Sequence, residues 1–245
     1  NSWIQQAIGR TEPKGQLVVL LDATDQSKST NPFVASDTLG NTYVLYAEDT
    51  ATNYYIYVKK YDSAGARDIS FVTSGTLQLA SYATNASIHA TVLTHDYNGN
   101  MYAGWIQVAN AASTGTVYMK KFSTSGTIDT SFGSSGTLTV DAAAPNNDTH
   151  GFSAALDSST NLYVTWSDKG IDVAGNIYIK KYNSSGTLQT GFGTAGTLTV
   201  VDGIAGEIMP FVGVDLSDNI YVSFSDQSGT AGTVKMKKYN SSAAV

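Results

Sequence analysis

Residues 57–65 read YVKKYDSAG, and closely similar strings return at 118–126 (YMKKFSTSG), 178–186 (YIKKYNSSG) and 235–242 (KMKKYNSS). The Lys-Lys pairs at 59–60, 120–121, 180–181 and 237–238 are spaced 61, 60 and 57 residues apart. Spacing this even along a 245-residue chain marks a tandem repeat of about sixty residues. A unit that cannot cover its own apolar face buries it against the next copy. The repeat therefore predicts one ring or stack rather than unrelated domains.

Working outward from the Lys pair, four β-like segments recur in each unit. One is an apolar run after Gly-Thr or Gly-Gln (Leu17–Leu21, Leu77–Tyr82, Leu138–Val140, Leu198–Val201), and one ends at an aspartate (NPFVASD, HATVLTHD, GFSAALD, MPFVGVD). A third begins Asn-x-Tyr, and the fourth runs into the lysines. Tyr, Val, Ile, Thr and Trp dominate, helical periodicity is missing, and turn residues fall every eight to twelve positions, as expected of strands. Four strands per unit and four units predict an all-β fold, a four-bladed β-propeller, in which radial repetition leaves only short edges. The expected organisation is a single domain over 1–245, with 1–15 as a closing segment and blades at about 16–76, 77–137, 138–197 and 198–245. The Lys pairs are placed on the outermost strand, where charge discourages edge-to-edge association.

After the lysines comes a link, ARDISFVTSGT at 66–76, GTIDTSFGSSGT at 126–137 and GTLQTGFGTAGT at 186–197. Phe71, Phe132 and Phe192 read as plugs between blades. With this D-x-x-FG-x-x-G link, and with the D-x-x-G-N-x-Y-V segment, the chain resembles bacterial β-propeller repeats of the "delta-sixty" type. The resemblance implies a propeller fold and occurrence in secreted or surface proteins. It transfers no catalytic residue.

The last unit stops at KKYNSSAAV without a link, while Trp3-Ile4-Gln5-Gln6-Ala7-Ile8-Gly9 aligns with GTLQTGFG and puts Ile8 in the Phe place. Trp3, Ile4 and Ile8 are thus expected to complete the last blade. Within one chain this gives a monomeric closed ring. Between chains the same complementarity gives a head-to-tail homopolymer, since a heterologous contact that does not close builds filaments. The hinge for such an exchange is Glu12-Pro13-Lys14-Gly15.

Composition limits the function classes. The net charge is −6, and eight of the 14 basic residues are the dispersed Lys pairs, so no basic stripe suits nucleic acid. No apolar run is long enough to form a membrane-spanning helix. Without cysteine, disulfides, zinc-thiolate sites and thiol catalysis are all excluded. A chain without cysteine that starts at Asn1 is expected to be extracellular or on a cell surface.

Candidate sites are sparse. The Asp-x-x-x-Asn segments (Asp37–Asn41, Asp96–Asn100, Asp157–Asn161, Asp215–Asn219) suit hairpin turns better than calcium loops, which need more carboxylates. His89 and His150 occupy equivalent places in adjacent units, as do Glu48, Asp168 and Asp226. Imidazoles with carboxylates are metal-ligand types, but no further ligand stands beside them, and solvated loop residues are the simpler reading. No cofactor is expected. Tyr46, Trp105, Trp166 and Phe224 share one place in the four units and suit a stacked core, with sugar stacking as the alternative. No nucleophile elbow or phosphate loop occurs. The expectation is a non-enzymatic structural or interaction module with a protein or polysaccharide partner. A carbohydrate-binding propeller is the alternative, and an enzyme the third reading.

Overall fold

Asx turns reverse the chain at regular intervals, so consecutive strands pair antiparallel. The computed structural model describes residues 28–50, 52–72, 75–83, 86–109, 114–145, 151–169, 175–204, 209–226 and 232–244. The strands are β1 (Lys28–Ser36), β2 (Thr42–Asp49), β3 (Asn53–Tyr61), β4 (Thr76–Ala83), β5 (Ala86–His95), β6 (Met101–Ala109), β7 (Thr114–Phe122), β8 (Leu138–Pro145), β9 (Phe152–Leu156), β10 (Leu162–Lys169), β11 (Gly175–Tyr182), β12 (Thr197–Ile204), β13 (Phe211–Val214), β14 (Ile220–Asp226) and β15 (Thr233–Tyr239). They form three four-stranded sheets, β1–β4, β5–β8 and β9–β12, and among the described residues a three-stranded sheet, β13–β15.

The boundaries of the units differ from those expected. The strand that begins Gly-Thr-Leu does not open a new sheet. It closes the preceding one, so β4 pairs with β3 (Val58↔Leu77), β8 with β7 (Met119↔Leu138) and β12 with β11 (Ile179↔Leu198). The Lys pair consequently sits on the third strand of each complete sheet, not on its outer edge. Both strands match the same alternating pattern, and only the partner on the far side distinguishes them.

The first strands of successive sheets pack together, β1 with β5, β5 with β9 and β9 with β13, and no comparable contact returns from β13 to β1 among the described residues. Three cores fill the spaces between the sheets. One face of the first sheet (Tyr43, Leu45, Ile56, Val58, Leu77) meets Met101, Ala103 and Trp105 of the second. Tyr102, Val117 and Met119 then meet Val164 and Trp166 of the third, and Tyr163, Ile177 and Ile179 meet Val222 and Phe224 of the fourth. The second and third sheets thus each contribute their two faces to two different cores, the arrangement of stacked propeller sheets.

The links act as the sequence predicts. Phe71, Phe132 and Phe192 are buried, each edge-on to a tyrosine of its own unit, at 5.9 Å from Tyr43, 5.7 Å from Tyr102 and 5.7 Å from Tyr163. Behind Phe132 the amide of Gly133 donates to the Ser185 carbonyl of the next sheet at 2.9 Å. Gly186 sits against that junction at φ +78°, where a Cβ would lie 2.8 Å from the Gly133 nitrogen. Only glycine allows so close a backbone approach.

Candidate functional site

The four Asp-x-x-x-Asn turns are built alike. In the first, Asp37 Oδ1 accepts from the amides of Leu39 and Asn41, both at 2.9 Å, while Oδ2 accepts from Asn41 Nδ2 at 2.8 Å and the Tyr43 hydroxyl at 3.1 Å. Asp96, Asp157 and Asp215 repeat the set with Tyr102, Tyr163 and Tyr221. Burial works against ionisation of Asp37, but these hydrogen bonds outweigh it and hold its pKa below the ordinary carboxylate value. At Asp215 the Asn219 side chain leads the same set and holds the pKa at about 2. The phenols of Tyr43, Tyr102 and Tyr163 are pushed up, first by burial and then by their aspartates. The turns therefore spend their carboxylates on their own hairpins, which is why they make poor calcium loops.

The lysines fasten one sheet to the next. The Nζ of Lys60, Lys121 and Lys181 donates to the carbonyls of Thr124, Ser184 and Ser241, at 3.2, 3.2 and 3.3 Å, in the turn one unit ahead. The first two also pair with Asp68 and Asp129 at 3.2 Å. The other lysine of the pair reaches back, Lys180 to the Val140 carbonyl at 2.7 Å and Lys237 to that of Val200. At the junctions of the second sheet with the third and of the third with the fourth the pair thus works in both directions, and this fastening replaces the expected role of deterring edge association.

The candidate cation ligands are not brought together. Glu48 is half-buried on β2, opposite Tyr55 of β3. Asp226 is buried and paired with Lys235. His89 shares a hydrogen bond of 2.9 Å with the Ser87 hydroxyl. Asp168 stands opposite Asn176 in the register of β10 and β11. His150, and Trp3, Ile4 and Ile8 of the closing segment, lie outside the described residues. Among the described residues no three His, Asp or Glu side chains gather as a metal site.

Tyr46, Trp105, Trp166 and Phe224 are 4%, 1%, 1% and 2% exposed, which makes them core and closes that position to a sugar. What the repeat alignment missed is Tyr55. Its ring stacks on Tyr57 at 5.4 Å and 17°, and Tyr57 leans on Tyr46 at 5.8 Å. Tyr55 is half-exposed, and across the strand pair stands the Glu48 carboxylate. Beside it Tyr54 bonds Asp49, and its phenol is pushed up by burial and then by that acid. The other units hold Thr116, Asn176 and Thr233 at the Tyr55 place. The run Asn53-Tyr54-Tyr55-Ile56-Tyr57 could have signalled it, but a search for what recurs passes over what occurs once.

No family model matches the chain, and no match is found among curated proteins. Solved structures do match. One is a protein of unknown function from Dyadobacter fermentans (11% identity, TM-score 0.53, 84% of this chain and 51% of that one). Others are an endo-arabinase from Bacteroides thetaiotaomicron (13%, 0.46, 87% and 76%) and a GH43 endo-arabinanase from Bacillus licheniformis (12%, 0.43, 87% and 74%). The chain spans about half the length of the Dyadobacter protein. At these identities the likeness shows the fold alone. The expectation of a non-enzymatic structural module is corrected here, because the similar folds include glycoside hydrolases and a lack of sequence motifs does not set a propeller apart from them.

Proposed function

We propose that this chain is a carbohydrate-binding propeller of four blades whose sugar platform is Tyr55. The observation that carries the reading is the half-exposed stack of Tyr55 on Tyr57 with Glu48 opposite, at a position where the other units hold small polar residues. A pyranose ring presents an apolar C–H face and a rim of hydroxyls. An aromatic plane receives the first, and a carboxylate accepts hydrogen bonds from the second. Core tyrosines recur in every unit, so a tyrosine found in one unit alone answers to something other than the repeat. Tyr57 fixes the plane of Tyr55 from behind, which lowers the conformational cost of binding.

A glycan array probed with the wild-type protein and with Tyr55→Ala tests this. The expected result is a defined set of bound glycans, with affinity reduced about tenfold or more by the substitution at unchanged melting temperature. A wild type that binds no glycan, or binding indifferent to the change, would overturn it.

A further inference from the structure

The first lysines of the pairs do not all end alike. Lys180 donates to the Val140 carbonyl at 2.7 Å and stands 5.3 Å over the ring of Trp166, and Lys237 donates to the Val200 carbonyl. Val140 and Val200 are the residues at which β8 and β12 step out of register, so each falls outside the paired ladder. In β4 the same step falls at Leu79, and the lysine placed to reach it is Lys120. Among the described residues Lys120 has no hydrogen-bond, ion-pair or ring partner.

Its surroundings are apolar. Lys120 stands opposite Ala103 in the register of β6 and β7, on the face that carries Trp105 and between Tyr118 and Phe122 along its own strand. Ala103, Trp105 and Phe122 are buried in the core shared with the first sheet, while Lys120 is half-buried and keeps contact with solvent. The titratable groups of that core are the phenols of Tyr43, Tyr54, Tyr82 and Tyr118. Burial lowers the pKa of the Lys120 amine, and among the described residues no carboxylate opposes the shift.

We propose that Lys120 is a modification site, an amine poised to condense with a small aldehyde. The neutral Nζ adds to the carbonyl carbon, forming the C–N bond while one amine proton passes to the carbonyl oxygen. That oxygen then leaves as water with the second amine proton, and an imine remains, so the step needs no oxidant or reductant. A lysine in apolar surroundings holds more of its amine unprotonated at neutral pH and is the better nucleophile. Lys180 and Lys237 commit their amines to carbonyls and serve as the internal comparison.

Treating the wild-type protein with acetaldehyde and cyanoborohydride tests this. The added hydride reduces the imine to a stable N-ethyl lysine, which peptide mass spectrometry locates. Near neutral pH, Lys120 is expected to react about tenfold faster than Lys180 or Lys237, and in urea the three should react alike. Its rate relative to free N-acetyl-lysine should fall as the pH is raised, because the free amine gains more from losing its proton. A native Lys120 no faster than Lys180 would overturn the proposal, since the amine would then turn to the Leu79 carbonyl as its counterparts turn to theirs. A preference that persists in urea, or a ratio to N-acetyl-lysine constant with pH, would overturn it as well, by assigning the reactivity to local sequence or to simple access.

Discussion

The indole Nε1 of Trp105 donates to the hydroxyl of Tyr82 at 2.8 Å, joining the second strand of one sheet to the fourth strand of the sheet before it. Burial pushes the Tyr82 phenol up to about 12, so it stays protonated across neutral pH. The rings of Tyr82 and Tyr118 stack 6.5 Å apart beside this bond. Tyr82→Phe keeps the ring and leaves a buried N–H without its acceptor. The expected cost is about 1–2 kcal/mol, read from urea unfolding followed by tryptophan fluorescence. An unchanged midpoint would mean that water replaces the hydroxyl.

The lysine fasteners predict a directional effect. Lys121 holds the Ser184 carbonyl and Asp129, and lies 5.8 Å over the ring of Tyr102. Its side chain is 13% exposed, so solvent screens these contacts only in part. Lys121→Met keeps the stem and removes the charge, and is expected to cost about 1–2 kcal/mol. Hydrogen exchange should show the loss in both flanking sheets rather than in one.

Phe132 fills the space between the second and third sheets at 0% exposure. Phe132→Ala leaves a cavity lined by Tyr102 and Leu188, and is expected to cost about 3–5 kcal/mol by thermal or urea unfolding. Ile69, three-quarters exposed on the link of the first unit, serves as the comparison, and Ile69→Ala should fall within about 0.5 kcal/mol of wild type.

Acid stability follows from the hairpin aspartates. Asp215 has its pKa held at about 2, below its value in the unfolded chain, so its ionised form stabilises the fold above about pH 4. That contribution is lost as the pH falls through 2. Asp215→Asn keeps an acceptor oxygen for the Ser217 and Asn219 amides but removes the charge. The variant should be less stable than wild type at neutral pH, and the gap between their urea midpoints should close between about pH 4 and pH 2. A gap constant with pH would assign the turn's strength to geometry alone.

The strands, the hairpin aspartates and the Phe links were legible because each repeats at a fixed spacing, and local turn chemistry decides the hairpins without help from distant parts of the chain. The assignment of Leu77 to the first sheet was not legible. A strand flanked by glycine links on one side and turns on the other matches either neighbour in pattern, and only the pairing with Val58 settles it. The lysines were visible, but their acceptors are backbone carbonyls about sixty residues away, which leave no side-chain signature. Asp226 looked like a rim acid and proved to be buried, because the partner that makes its burial possible, Lys235, replaces a tyrosine in that unit alone. Tyr55 was hidden by the alignment that revealed everything else.

Because the Phe71, Phe132 and Phe192 plugs and the forward bonds of Lys60, Lys121 and Lys181 recur at the three described boundaries, successive units meet their neighbours through much the same contacts. An in-frame duplication of one whole sixty-residue module would find its seats already cut on both sides, and a deletion would bring together two surfaces that already know each other's shape. Growth and shrinkage by gene duplication are thus open to this architecture in whole steps only, since half a module would leave a phenylalanine without its tyrosine.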